Sequence, residues 1–346
     1  MSREKSNQIQ SFILRNVNTH PHHLISITSA KFGISRQAVH RHIKKLVDGQ
    51  LLEAMGNTRS RIYKLKPVEE KTFGFKIVPE LAEDQVWRQY LIPLLKALPN
   101  NVYEICHYGF TEMFNNALDH SHGLNVVVEI TLTGLSIEMR VIDDGIGIFK
   151  NIQTKFGLED QRHAILELAK GKLTTDPERH TGEGIFFTSR MFDDFAIVSD
   201  QLAFIRRGAL DEDWLIEKQN RKGEGTAIHM SIALYSDRTM KEIFAKYTLT
   251  EEDYRFAKTH VPVNLHQYGD DNLVSRSQAK RLLARFDKFK EVFLDFQGVK
   301  TIGRAFADEI FRVFKKGHPH IKIVWSRANP EVEAIIRSVL SDPSQP

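Results

Sequence analysis

The chain has 346 residues, 41% of them hydrophobic and 27% charged, with a single cysteine and a formal charge of +4. This length supports two or three domains, and one thiol, Cys106, excludes an internal disulfide framework. The apolar runs are too short for a membrane span, and the basic start, Arg3 to Lys5, leads into no signal-peptide core, so a cytoplasmic protein is expected.

Charge is concentrated at one end. Through Lys66 there are 12 Lys and Arg against 3 Asp and Glu, a surplus of 9, which leaves the remainder at −5. From about Ser6 this basic segment reads as a helix, a helix-turn-helix and a hairpin. Ile25 to Phe32 is a short helix, Gly33 a turn, and Ser35 the N-cap of a second helix through Val47. Val39, Ile43, Leu46 and Val47 share one face of it. Arg36, Gln37, His40, Arg41 and Lys44 share the other, a basic, amide-bearing surface suited to base edges in a major groove. Leu51 to Met55 and Arg61 to Leu65 flank Gly56-Asn57-Thr58 as a hairpin with Arg59 and Arg61 near its tip.

This segment is similar to a winged helix-turn-helix, and the phrase from Phe32 to Leu52 resembles bacterial regulators of that class. The resemblance implies binding to double-stranded DNA. A winged helix used only for protein contacts is the alternative, against which the positive surplus argues, because phosphate neutralisation supplies most non-specific DNA affinity. A linker is expected at Pro67 to Lys71, and a helix interrupted by Pro93 from Asp84 to Leu98.

Next, Val102, Ile105, Cys106, Phe110, Met113 and Ala117 recur at three- and four-residue steps, the pattern of an amphipathic helix. Glu112 and Asn116, at i and i+4, project from one face; an ordinary polar stripe is the bland reading. Val126, Val128 and Ile130 alternate, Thr133-Gly134 turns, and Ile137, Met139 and Val141 alternate again before Asp143-Asp144-Gly145-Ile146-Gly147. Thr181-Gly182-Glu183-Gly184 then opens an apolar, helix-like run from Phe186 to Phe192.

In this order the blocks resemble the GHKL ATP-binding fold shared by DNA gyrase, mismatch-repair ATPases, sensor histidine kinases and anti-sigma-factor kinases. Glu112 and Asn116 match its N-box, Asp143, Gly145 and Gly147 its DxGxG box, and Gly182 and Gly184 its second glycine box. The resemblance implies a Bergerat-type two-layer α/β sandwich over residues 72–235, built on a mixed sheet, that binds ATP with Mg2+. Magnesium keeps several waters, so the Asn116 amide oxygen and phosphate oxygens would complete its shell. Glu112 would act as general base, and Asp143 would accept a hydrogen bond from the adenine amine. Gly145 and Gly147 would let backbone approach the ring, and Gly182 and Gly184 would free N–H groups for phosphate. Phe149 to His180 corresponds to the family's lid. Its cations Lys155, Arg162, Lys170, Lys172 and Arg179 either meet the γ-phosphate or form a solvated surface. The module closes with Lys222 to Ile232, where Thr226 is a candidate phosphate contact. No His-bearing dimerisation hairpin precedes the N-box, so a histidine autokinase is not expected.

Residues 236–346 alternate strands with helices, a small sheet layered with helices. Val261 to Leu265, Glu291 to Phe296 and Ile321 to Trp325 read as strands; Ser275 to Phe289, Thr301 to Phe314 and Glu331 to Leu340 read as helices. Leu294 to Val299 with Ile302 resembles the STAS fold of anti-sigma-factor antagonists, and more closely the STAS-like domain of unknown function found beside GHKL modules. Where the antagonists carry a phosphorylatable serine this chain has Gly303-Arg304-Ala305, and Thr301 is the nearest hydroxyl. Protein docking or self-association is the role expected of it.

The chain is therefore expected to be a multidomain α/β (α+β) protein with a winged helix over 1–66. Its expected function is that of a cytoplasmic regulator in which Mg-ATP, slowly hydrolysed, controls DNA or partner binding. The alternatives are a protein serine/threonine kinase resembling the anti-sigma-factor kinases, or a nucleotide-sensing scaffold without turnover.

Overall fold

The computed structural model describes residues 3–17, 19–57, 61–174, 181–208, 212–217, 224–249, 255–266 and 273–341. The basic segment forms α1 (Arg3–Asn16), α2 (Leu24–Phe32) and α3 (Arg36–Asp48), then an antiparallel hairpin of β1 (Leu52–Met55) and β2 (Ile62–Leu65). Gly33 ends α2 at φ +61°, a conformation that side chains disfavour. The Ser35 hydroxyl caps α3 by accepting from the Ala38 N–H. Ile9, Ile13, Leu24, Val39, Ile43 and Leu46 are among the residues of a core separate from the rest of the protein. Arg36, Gln37, His40, Arg41, Lys44 and Arg61 stay exposed, while Arg59 lies outside the described residues.

Pro67 to Lys71 is not a linker. It is the first half of β3 (Pro67–Lys76), which pairs along its length with β4 (Asn125–Thr133). β3 is an edge strand, where a leading proline costs no ladder hydrogen bond. The helix expected up to Leu98 is broken into α4 (Glu83–Val86), a π-helical turn (Trp87–Leu91) and α5 (Ile92–Leu95). Pro93 has no N–H to bond back and crowds the preceding turn, which the wider turn accommodates.

After α6 (Asn100–His120), β4 and β5 (Ser136–Asp143), the chain forms α7 (Ile148–Phe156), α8 (Gln161–Lys170) and α9 (Gly184–Met191). It then adds β6 (Asp194–Ser199), β7 (Leu202–Arg207), β8 (Glu212–Glu217), β9 (Thr226–Ala233) and α10 (Met240–Tyr247). The sheet runs β3-β4-β5-β9-β6-β7-β8. Every pairing in it is antiparallel, where a mixed sheet was expected. Val126, Val128 and Ile130, then Ile137, Met139 and Val141, alternate inward and are fully or almost fully buried. They join Phe110, Met113 and Phe114 of α6 in one core, so the helices form the second layer on that face.

The C-terminal part is a parallel three-stranded sheet, β10 (Lys258–Pro262), β11 (Glu291–Asp295) and β12 (Lys322–Ser326), in that spatial order. A 3₁₀ turn, Val263–His266, and α11 (Arg276–Leu283) connect the first two strands. α12 (Arg304–Asp308), a π-helical stretch (Glu309–Phe314) and α13 (Lys315–Gly317) connect the next two, and α14 (Pro330–Leu340) follows. The basic helix stops at Leu283 rather than Phe289 because Arg285 turns left-handed, φ +66°. The core of this part is continuous with that of the central sheet. Phe256 joins the two, its ring 4.4 Å from Phe186 and 5.4 Å from Phe289. Among the described residues no helix is long and apolar enough to cross a membrane.

His266 sits at this junction, 2% exposed, its Nε2 2.7 Å from the Gln278 carbonyl and its ring 6.1 Å from that of His163. Burial, with further lowering by His163, Lys170 and Arg281, brings its pKa to about 4 against the opposing hydrogen bond to Gln278. The unfolded chain takes up this proton below about pH 6.5, whereas the folded chain resists it until about pH 4. His266 thus contributes stability that is complete above pH 6.5 and is lost as pH falls toward 4, on the order of 3 kcal/mol. Urea unfolding midpoints measured from pH 7 to 4.5 should fall more steeply for the natural chain than for His266→Gln.

Candidate functional site

Between α6 and the adjoining ends of β5 and β9 lies an open cleft, whose empty space of about 720 Å³ includes the solvent at its mouth. Met113, Val141, Ile148, Ile185 and Ile228 supply apolar walls, and Asn116, His120, Asp143, Asn151 and Thr226 supply polar groups. A second recess shares Asn116, Leu168, Leu173, Gly182 and Ile185 with it and adds Glu112, Thr181 and Gly184. The fold thereby gathers Glu112, Asn116, Asp143, Gly182, Gly184 and Thr226 around two hollows that share part of their lining.

Asp143 ends β5, and the antiparallel register puts it directly opposite Thr226, the first residue of β9. Its Oδ1 accepts from the Gly145 N–H at 3.0 Å and the Thr226 N–H at 3.2 Å. Burial raises the pKa of this carboxyl, the two backbone bonds oppose that, and the Thr226 hydroxyl adds a side-chain hydrogen bond. A carboxylate has about four lone-pair sites, so three protein donors leave room for one from a ligand. Thr226, expected beside phosphate, is at the Asp143 end of the cleft. Its Oγ1 accepts from the Ile148 N–H at 3.0 Å and so fixes the start of α7.

The glycines divide into two kinds. Gly145 and Gly147 line neither hollow; a Cβ on Gly145 would overlap the Ser121 carbonyl, and one on Gly147, at φ +85°, would sit 2.5 Å from Ser199 Oγ. They let α6, β6 and the β5 end close on one another. Gly182 and Gly184 face the recess. A Cβ on Gly184 would collide with Glu112 Oε2, so the first residue of α9 stands directly against that carboxylate. Gly182, at φ +71°, accepts at its carbonyl from the Leu173 N–H, 3.2 Å.

Three of the cations between the second and third blocks bond to protein groups outside the cleft lining. Arg162 pairs with Glu217. Lys170 is completely buried, its Nζ 2.6 Å from Glu167 Oε1 and 3.0 Å from the Ala284 carbonyl. Lys172 donates to the Lys288 carbonyl at 2.9 Å. Lys155 is exposed on α7, and Arg179 lies outside the described residues. Lys170 is therefore neither a cleft group nor a solvated surface, and with the half-buried Lys172 it joins the wall of the cleft to the C-terminal part.

That sheet has a known counterpart. Residues 278–333 match the family model of the STAS-like domain of unknown function (DUF4325). No curated protein matches the chain. The matched STAS-like stretch starts within α11 and ends within α14, and it includes Arg285 and Asp295. Thr301, the hydroxyl nearest the expected acceptor position, donates to Glu331 Oε1 at 2.7 Å, while α12 starts at Arg304 after Gly303 without a side-chain cap.

Three cleft groups escaped the sequence reading. Asn151 is buried on α7 and donates to the His120 carbonyl at 2.9 Å, tying the end of α6 to the cleft floor; an amide at position four of an otherwise apolar helix face was its only signal. His120 and Ser121 line the cleft because α6 ends there. Cys106 is buried as expected, and burial pushes its thiol pKa up. Among the described residues no group of three or more His, Cys, Asp or Glu is placed to hold a metal ion. Since Gly145 meets rigid backbone, Gly145→Ala should lower stability by about 1–3 kcal/mol, read as a reduced urea midpoint, whereas Gly157→Ala, where a Cβ meets nothing, should cost only its backbone strain.

Proposed function

We propose that the central module binds Mg-ATP, hydrolyses it slowly, and uses nucleotide state to control DNA binding by a winged helix formed by α1 to β2. The convergence of Glu112, Asn116, Asp143, Gly182 and Gly184 on two hollows that share Asn116 and Gly182, from positions more than seventy residues apart, carries this reading. Their shape is consistent with it: an apolar slot for a flat ring ends in a carboxylate with spare acceptor capacity, and an amide and glycine N–H groups lie toward the other end.

In this arrangement Asp143 accepts from the adenine amine, and Met113, Ile148 and Ile228 cover the ring. The amide oxygen of Asn116 is the protein ligand for magnesium, which supplies charge neutralisation for the phosphates. N–H groups at the start of α9 receive phosphate oxygens, and Glu112, a turn from Asn116, orients and deprotonates the attacking water. The exposed Arg36, Gln37, His40, Arg41 and Lys44 on α3 supply the surface for a major groove.

Titration calorimetry with Mg-ATP is the deciding measurement: saturable binding is expected, and no heat from folded protein would overturn the reading. Asp143→Asn keeps an oxygen for the Gly145 and Thr226 N–H groups but turns an NH2 toward the adenine amine. It should weaken binding about ten- to a hundredfold. Asn116→Ala should remove the magnesium-dependent part of the affinity. Glu112→Gln should bind nucleotide and lose hydrolysis by about 100-fold or more. DNA affinities measured with ATP, ADP and no nucleotide test the regulatory part, which equal values in all three would refute.

A further inference from the structure

We propose that Arg285 of the C-terminal domain is a positioning residue of the central cleft, so that nucleotide binding and docking of the STAS-like domain are coupled. This rests on the reading of the cleft as a nucleotide site. The coupling element is the short stretch from Leu168 to Thr174. Leu168, Leu173 and Thr174 line the cleft, whereas Lys170, Gly171 and Lys172 between them are bound to the C-terminal domain. Arg285 reaches Glu167, immediately before this stretch, and Gly171 within it. Its Nη1 meets Glu167 Oε2 at 2.6 Å, and its Nη2 donates to the Gly171 carbonyl at 2.7 Å.

The remaining bonds close a circuit. Lys170 Nζ shares Glu167 with Arg285 and donates to the Ala284 carbonyl, and the Lys170 carbonyl accepts from Thr259 Oγ1 at 2.7 Å. Gly171, at φ +80°, has Phe256 and Phe186 where a Cβ would go, within 3 Å. Leu173 then bonds to the Gly182 carbonyl of the recess. A shift of the cleft wall would therefore break a buried charge network, and loss of that network would free the wall. Arg285 itself is held left-handed, a conformation non-glycine residues keep only where surroundings enforce it.

Coupling of this kind is reciprocal. A ligand that needs the wall in place binds with an apparent affinity reduced by the fraction of molecules in which it is in place. In the full chain, Arg285→Ala should weaken binding of a non-hydrolysable Mg-ATP analogue by about 3- to 30-fold. Arg285→Lys, which keeps a cation for Glu167 but loses the second bond to Gly171, should recover part of it. Arg337→Ala, a surface change in the same domain, should bind as the natural chain does. Hydrogen exchange on the natural chain provides a readout that needs no variant: the analogue should slow exchange at 285–288 together with 170–172. Unchanged affinity in folded Arg285→Ala, or protection confined to the central module, would overturn the coupling while leaving the nucleotide site intact. Absence of any binding by the natural chain would remove the site itself.

Discussion

The ammonium group of Lys170 is withdrawn completely from water, and the arrangement of the two larger parts of the protein follows from how that charge is accommodated. An unpaired buried ion costs several kcal/mol, and one carboxylate rarely repays it without further hydrogen bonds. Here the carboxylate comes from the same helix, one turn earlier, while carbonyl partners come from the end of α11. The side chain is satisfied only when both parts are in place. Glu167 also serves Arg285, so this network carries two cations for one anion. Lys170, with His163 and Arg281, opposes protonation of His266, and burial opposes it more strongly.

A second constraint acts at the other wall of the cleft. The β5–β9 register sets Asp143 opposite Thr226, and Gly225, at φ +90°, turns immediately before that pair because a Cβ there would overlap the Asp143 carbonyl. Slipping the register by one residue would turn one of the two strands over, sending either Asp143 and Val141 or Ile228 and Met230 to the open face. The burial of Met230 and Ile232 therefore fixes the position of the carboxylate. Packing energy, distributed over the sheet, is what orients a single polar group in the cleft.

These two constraints differ in how they are written in the chain. The alternation in β4, β5 and β9 and the three-and-four spacing in α6 are short-range patterns, and each element lies where its period put it. Glu112, Asn116, Asp143, Gly182, Gly184 and Thr226 are singled out by their resemblance to the GHKL boxes and last core strand, and the fold brings them to the cleft and its recess from a helix face, strand ends and a helix start. The roles of Gly145 and Gly147 were not legible, since the groups that demand glycine there, the Ser121 carbonyl and Ser199, are remote in sequence. The polar Pro67 to Lys71 reads as a linker because an edge strand needs little apolar character. Lys170 could be read only as a surface or phosphate-facing cation, because its partners at Arg281 and Ala284 lie more than a hundred residues on.

The same contrast separates the three parts mechanically. The C-terminal sheet shares a core and a buried ion network with the central module, whereas the N-terminal helices keep a core of their own. Yet the chain offers no slack between them: β2 ends at Leu65, β3 starts at Pro67, and the Lys66 N–H is spent on the Leu51 carbonyl. Arg15 of α1 adds a contact, its guanidinium carbon 4.2 Å above the Tyr235 ring just beyond β9. β3 pairs with β4, and β4 with the strand that ends in Asp143. A change at the cleft would reach the C-terminal domain through buried charge and aromatic packing, and the N-terminal domain through two strand pairings and a surface cation–π contact. Surface contacts of that sort are worth about 1 kcal/mol or less, so the shared core is the stiffer of the two routes.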